Sequence, residues 1–210
     1  MIVITGAPRT GTTYIERYLN QDPNILILHE CGHLVSGSSR LNFLENSDYF
    51  IDELKKKNIS IKEISDNFNN LEEHFNNYVF GDKYPYYSMV LDKIPQDVKL
   101  ILCVRNPFHS LQSMENKLGW SYSESFKVLL ESYEGILRHK DSFDHIIIKY
   151  EDYVCNEQKL KRDLSNFLDV SLNIEDKVTE SYIPPIVPTY IEKALLENST
   201  IQSIMHQFNY

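Results

Sequence analysis

Two clusters of residues in this 210-residue chain have the types and spacing to hold an anion. The first is Gly6-Ala7-Pro8-Arg9-Thr10-Gly11-Thr12-Thr13, which follows the apolar run Ile2-Val3-Ile4. Glycines let successive N–H groups turn inward, hydroxyls add donors, and a helix starting at Thr12 would aim its partly positive end at a ligand. The second is Arg105-Asn106-Pro107, after the apolar run Leu100-Ile101-Leu102-Cys103-Val104. Proline suits the first turn of a helix, so Arg105 stands at the carboxyl end of a strand. Ser110 and Ser113 share one face of that helix and lean toward its start, where a serine could join Arg105 around one phosphate. A surface arginine beside a solvated serine face remains the alternative for these residues alone.

Two other segments offer chemistry that their context opposes. His29-Glu30-Cys31-Gly32-His33 spells H-E-x-x-H, which binds Zn²⁺ when a helix sets both histidines on one face. Here Ile25 to Leu28 has strand character and runs straight into it, and Gly32 weakens a helical turn. The spacing of the first loop also invites comparison with the ATP-binding pattern G-x-x-x-x-G-K-[ST], but Thr12 occupies the lysine position and the cation is Arg9. Met89-Val90-Leu91-Asp92 would serve a nucleotide kinase as an acidic Mg²⁺-binding strand, or equally form a short helix with Lys93-Ile94-Pro95.

These residues need a scaffold that brings strand ends together. Short apolar runs predict buried strands over Ile2 to Thr5, Ile25 to Leu28, Leu100 to Val104 and His145 to Lys149. Helical periodicity predicts Thr12 to Asn20, Asp48 to Lys57, Ile61 to Tyr78, Pro107 to Lys117, Ser123 to Lys140, Glu157 to Leu168 and Tyr190 to Gln207. Strands alternating with helices make an α/β fold of three layers, with a central parallel sheet of about four to five strands flanked by helices. Ligands of such sheets bind at the carboxyl ends of the strands. Ile183 to Pro188 reads as an extended segment before the last helix. Residues 1–210 are expected to form a single domain, with 34–80, which carries two helices and no strand signal, as a helical cap over the site.

Composition narrows the partners. A net charge of −9 and a pI near 5.2 argue against nucleic acid or a polyanionic glycan, so any basic pocket is local. Cys31, Cys103 and Cys155 are widely spaced and odd in number, which suits buried thiols in a reducing compartment. With no apolar stretch near the length of a membrane span and no leader pattern, the expectation is a soluble cytoplasmic protein, monomer or homodimer.

Taken together, Pro8-Arg9-Thr10-Gly11-Thr12-Thr13 and the pair Arg105 and Ser113, eight apart, resemble the sulfotransferases that use 3′-phosphoadenosine 5′-phosphosulfate (PAPS). In that family P-[KR]-[ST]-G-T-T holds the 5′-phosphosulfate and R-x7-S the 3′-phosphate. Thr10 departs from the usual serine. Tyr14 stands where cytosolic members often carry an adenine-stacking tryptophan, Lys149-Tyr150-Glu151-Asp152 is similar to a family R-Y-E-D, and the closing Phe208-Asn209-Tyr210 is similar to a family G-Y. The resemblance implies a P-loop-like sulfotransferase fold and an in-line transfer from PAPS to a hydroxyl, leaving PAP, with no metal.

By resemblance to the tyrosylprotein branch, Lys83 in Lys83-Tyr84-Pro85 is a second catalytic cation beside Arg9. Glu30, twenty-one residues after Arg9, is the general base. His29, His33 and His109 are the competing bases, and a solvated lysine beside Gly81 is the competing reading of Lys83. The acceptor expected is a hydroxyl on a small molecule, lipid or neutral sugar. A P-loop nucleotide kinase and a non-catalytic PAP-binding protein are the rival functions.

Overall fold

The computed structural model describes residues 1–36, 44–175 and 189–210. Five strands, β1 (Ile2–Thr5), β2 (Ile25–His29), β3 (Val79–Lys83), β4 (Lys99–Val104) and β5 (Asp144–Lys149), form one parallel sheet in the order β2-β3-β1-β4-β5. Its longer helices are α1 (Thr12–Asn20), α2 (Asp48–Lys56), α3 (Ile61–Asp66), α4 (Pro107–Leu118), α5 (Tyr122–His139), α6 (Glu157–Leu168), α7 (Thr189–Leu196) and α8 (Ser199–Phe208).

Both faces of the sheet are covered, which is why its strands read as apolar runs without alternation. On one face Ile2, Ile4, Ile25, Ile27 and Ile101 pack against Ile15 and Leu19 of α1 and Leu160 and Leu164 of α6. On the other, Val3, Leu100, Leu102 and Val104 meet Leu111 and Met114 of α4, Leu129 and Tyr133 of α5, and Ile201 and Ile204 of α8. Leu26, Leu28 and Phe80 are sealed by Leu44, Phe50, Leu54 and Ile64, so the described part of 34–80 forms a covering layer on the β2–β3 edge. From β1 the chain leaves through α1 toward β2, and from β4 it leaves through α4 and α5 toward β5 on the other side. The loops after β1 and β4 therefore part at adjacent strand ends and leave a crevice there.

The structure corrects the sequence expectations in four places, three elements and one cysteine. Strand β3 is not among the expected elements, because Gly81, Asp82 and Lys83 break its apolar pattern, yet Phe80 to Lys83 are all buried; it begins where the region read as a cap without strand signal ends and runs past it. The helix expected over Ile61 to Tyr78 stops at Asp66 and gives way to short turns at Phe68–Asn70 and Leu71–His74. Asn67, Asn69 and Asn70 explain the break, since their side chains compete with the helix for backbone groups, as Asn67 Nδ2 does by donating to Glu63 O. The helix expected over Tyr190 to Gln207 divides, because Asn198 accepts from the N–H groups of Thr200 and Ile201 and so starts α8 afresh. Cys31 and Cys103 are buried as expected, but Cys155 is exposed in the turn before α6. The segment Ile183 to Pro188 lies outside the described residues.

Gly81 is what lets β3 sit between β1 and β2. A Cβ there would fall 2.7 Å from both Ile2 O and Ile27 Cδ1. Gly81→Ala is expected to destabilise the protein by about 1–3 kcal/mol through overpacking, read as a lower urea midpoint; an unchanged midpoint would mean that the sheet yields there without cost.

Candidate functional site

The loop after β1 holds itself in shape through Thr10, whose N–H and Oγ1 both donate to Ala7 O, at 3.2 and 2.7 Å. The threonine that departs from the usual serine thus serves the loop's internal bonding with its hydroxyl. Gly6 lies so close to β4 that a Cβ would stand 2.1 Å from Cys103 O. Helix α1 begins at Thr12 with no side-chain cap and no acidic residue in its first turn, so its leading N–H groups remain available to an anion.

Backbone strain picks out two residues. Among the described non-glycine residues, five have positive φ: Arg9 at 69°, Glu30 at 51°, and Asn58, Asp169 and Asn209. Asp169 and Asn209 cap helices, and Asn58 follows α2, positions where Asn and Asp adopt this conformation readily. Arginine and glutamate have no such excuse, and strain of this kind collects at functional sites.

The two anion signals of the sequence meet in the crevice. Arg9 Nε donates to Ser113 Oγ at 3.1 Å, and Arg105 Nη1 donates to Arg9 O at 3.2 Å. Ser113 thus lies directly against Arg9, with Arg105 on the other side of the same loop. Ser110 points into the core, where its hydroxyl is buried. Arg105 stacks over the Tyr150 ring at 4.5 Å, and its Nε is buried with no partner among the described residues. Arg9, Thr12, Thr13, Tyr14, Arg17, Arg105 and Tyr150 line a cleft of about 400 Å³. Pro8 is buried behind the loop. Tyr14 donates its hydroxyl to Glu157 Oε1 at 3.3 Å, and burial together with that carboxylate pushes the phenol up. Another cavity, of about 420 Å³, opens at the amino ends of the strands beside Ile2 and Val79, away from both loops.

Beyond the cleft, Glu30 leaves the end of β2 and meets Lys83. Lys83 Nζ donates to Glu30 Oε1 at 2.8 Å and to Thr13 Oγ1 at 3.3 Å, and lies 3.2 Å from Glu16 Oε2. Lys83 is 0 % exposed, so the solvated reading of this lysine is wrong. Glu16 went unnoticed in the sequence, although the signal was there: it falls on the buried stripe of α1 with Thr12, Ile15, Leu19 and Asn20, where a carboxylate needs a partner. The loop from Glu30 to Leu34 is pinned by buried Asp82, which accepts from His33 N–H at 3.1 Å and from Tyr87 O–H at 2.5 Å, and pairs with His33 Nδ1 at 3.1 Å.

His29 and His33 therefore turn to different carboxylates, Glu16 and Asp82, and the segment between them is not helical. The geometry of H-E-x-x-H does not form. Met89 to Asp92 spans two 3₁₀ turns and no strand.

Lys149-Tyr150-Glu151 and the closing Phe208-Asn209-Tyr210 join in one bracket. Lys149 Nζ donates to Phe208 O and Asn209 O at 3.0 and 2.9 Å and lies over the Tyr210 ring at 4.2 Å. Glu151 accepts from Tyr210 O–H at 3.0 Å and from the Asn106 N–H at 2.9 Å, with His109 Nδ1 at 3.8 Å. Burial opposes ionisation of Glu151, but its hydrogen bonds outweigh that and hold its carboxyl below the usual range. A carboxylate lowered in this way stabilises the fold above the ordinary glutamate pKa, and the contribution is lost as pH falls through the lower folded value. Glu151→Gln is expected to cost about 1–3 kcal/mol at neutral pH. The difference from wild type should narrow once the pH drops below about 4. Urea titrations at both pH values test this, and an equal loss at both would refute the ionic account.

The sequence matches the family model described as the sulfotransferase family over residues 2–174. No curated protein matches it. Among solved structures, it is similar to the sulfotransferase domain from the Synechococcus PCC 7002 olefin synthase, with 20% identity, a TM-score of 0.65, and 100% of this chain and 94% of that chain covered. The sulfotransferase domain from the curacin biosynthetic pathway gives 19% identity and a TM-score of 0.63, covering 100% and 97%. A sulfotransferase from Alicyclobacillus acidocaldarius gives 18% and 0.59, covering 98% and 95%. These likenesses concern the fold, a parallel sheet flanked by helices with a P-loop-like turn after its first strand. With its matched region reaching from β1 past α6, the chain belongs to the sulfotransferase family.

Proposed function

We propose that this protein transfers the sulfuryl group of PAPS to a hydroxyl of an acceptor, releasing PAP. The observation that carries this reading is the meeting of Arg9, Ser113 and Arg105 around the uncapped start of α1, with the Lys83–Glu30 pair beside it. Pro8, Arg9, Thr10, Gly11, Thr12 and Thr13 cradle the 5′-phosphosulfate, Arg105 and Ser113 take the 3′-phosphate, and Tyr14 borders the adenosine. The buried Nε of Arg105, which has no partner among the described residues, supports a ligand at that point, since a buried donor is seldom left unsatisfied.

In the transfer an acceptor oxygen attacks sulfur in line with the bond to the 5′-phosphate. Its O–H proton passes to Glu30, the new O–S bond forms, and the electron pair of the breaking bond stays on the phosphate oxygen of PAP. Arg9, Lys83 and the N–H groups of Thr12 and Thr13 stabilise that growing charge, each such donor contributing on the order of 3 kcal/mol to the barrier. An acidic surface favours uncharged acceptors such as the hydroxyl of a small metabolite, lipid or neutral sugar. The cysteine pattern supports a cytoplasmic setting.

Calorimetry with PAP and incubation of a metabolite extract with sulfur-35-labelled PAPS test the reading. Arg105→Glu is expected to abolish PAP binding. Glu30→Gln should keep PAP binding and lower transfer about 10²–10⁴-fold. Binding of ATP with Mg²⁺ in place of PAP would favour a kinase, and PAP uptake without any labelled product would favour a binding protein.

A further inference from the structure

Glu16 is a fully buried carboxylate with both oxygens engaged. His29 Nδ1 lies 2.9 Å from its Oε1 and 2.8 Å from its Oε2, and Lys83 Nζ lies 3.2 Å from Oε2. On its other side the Lys83 ammonium donates to Glu30, whose side chain is 33% exposed. One buried cation is thus shared by a carboxylate that solvent does not reach and one that it does.

The two carboxylates have different tasks in a transfer that uses Glu30 as base. As Glu30 takes the acceptor's proton it becomes neutral, and Lys83 loses that counter-ion just as its charge is wanted beside the leaving oxygen. A buried ammonium without a carboxylate is costly and would swing toward water. We propose that Glu16 is a positioning residue whose constant charge keeps Lys83 at the phosphate loop while Glu30 changes charge, with His29 fixing the plane of the Glu16 carboxylate. This rests on the assignment of Glu30 and Lys83 made above. Glu16 reaches no acceptor itself, being sealed between α1 and the sheet.

Among the described residues, the charged and titratable groups around Glu30 include Lys83 of β3, Glu16 of α1 through it, and His29 at the end of β2. Asp82 and His33 pair with each other, Asp82 alternating with Lys83 along β3 and so facing the opposite side of the sheet. Carbon-13 NMR of carboxyl-labelled glutamates follows the Glu30 titration directly, its resonance assigned by loss in Glu30→Gln. In Glu16→Gln the second negative charge is gone and Lys83 turns wholly to Glu30, so the Glu30 midpoint should fall by about one pH unit. An unchanged or raised midpoint overturns the proposal. A crystal structure of Glu30→Gln gives a second test that does not depend on a buried substitution. Lys83 Nζ should remain on Glu16 and Thr13, and an ammonium displaced from Glu16 overturns the proposal. Labelled-sulfate transfer that persists in Glu30→Gln would instead sink the assignment of the base, so the two failures are distinguishable.

Discussion

A buried ammonium at the carboxyl end of β3 is the constraint around which the site is arranged. Lys83 is paired in register with Ile4 of β1 and His29 of β2 and has no exposed surface, so its charge must be met from within. Glu16 meets it from the helix below, Glu30 from the end of the neighbouring strand, and Thr13 from the first turn of α1. These partners come from two separate stretches of chain, α1 and the end of β2. The ammonium therefore ties the start of α1, β2 and β3 into one geometry, and each partner lies at the edge where a parallel sheet presents ligands.

Strain and support are divided between neighbouring segments. Arg9 and Glu30 adopt left-handed backbone conformations that neither residue type favours, and both sit beside rigid anchors. The Arg9 loop is held by the Thr10 bonds to Ala7 O and by Arg105 on Arg9 O. The Glu30 loop is held by the Glu30 N–H on Lys83 O at 2.7 Å and by Asp82 on His33 and Tyr87. On the far side of the crevice, Lys149, Tyr150 and Glu151 fasten the end of α8, α4 and the ring beneath Arg105 to one another. The chain's last residues thus steady a loop more than a hundred positions earlier.

Much of this was legible in the residues themselves. Helix α1 and the loop after β1 announce themselves because glycines, hydroxyls and an apolar strand follow each other locally, and Arg105 because a proline fixes the helix start just after it. Strand β3 was hidden by its own composition: the residues it brings to the sheet edge are Gly81, Asp82 and Lys83, one suited to close approach and two carrying charge. Pattern reading looks for apolar burial and passes over a strand whose buried side chains are polar. The asparagine-rich stretch from 67 to 70 misled in the opposite sense, since its apolar spacing suited a helix that its side-chain amides interrupt.

Alone, the sequence determined the family, the α/β layering and the two loops that follow β1 and β4, because each depends on residue types close together in the chain. Tertiary structure decided that Lys83 is buried, that Glu16 shares it with Glu30, that Ser113 lies against Arg9, and that Glu151 receives Tyr210. Those pairings join residues from 53 to 104 positions apart, and only the packing of strands side by side fixes which charge is shielded from water and which carboxylate stands next to it.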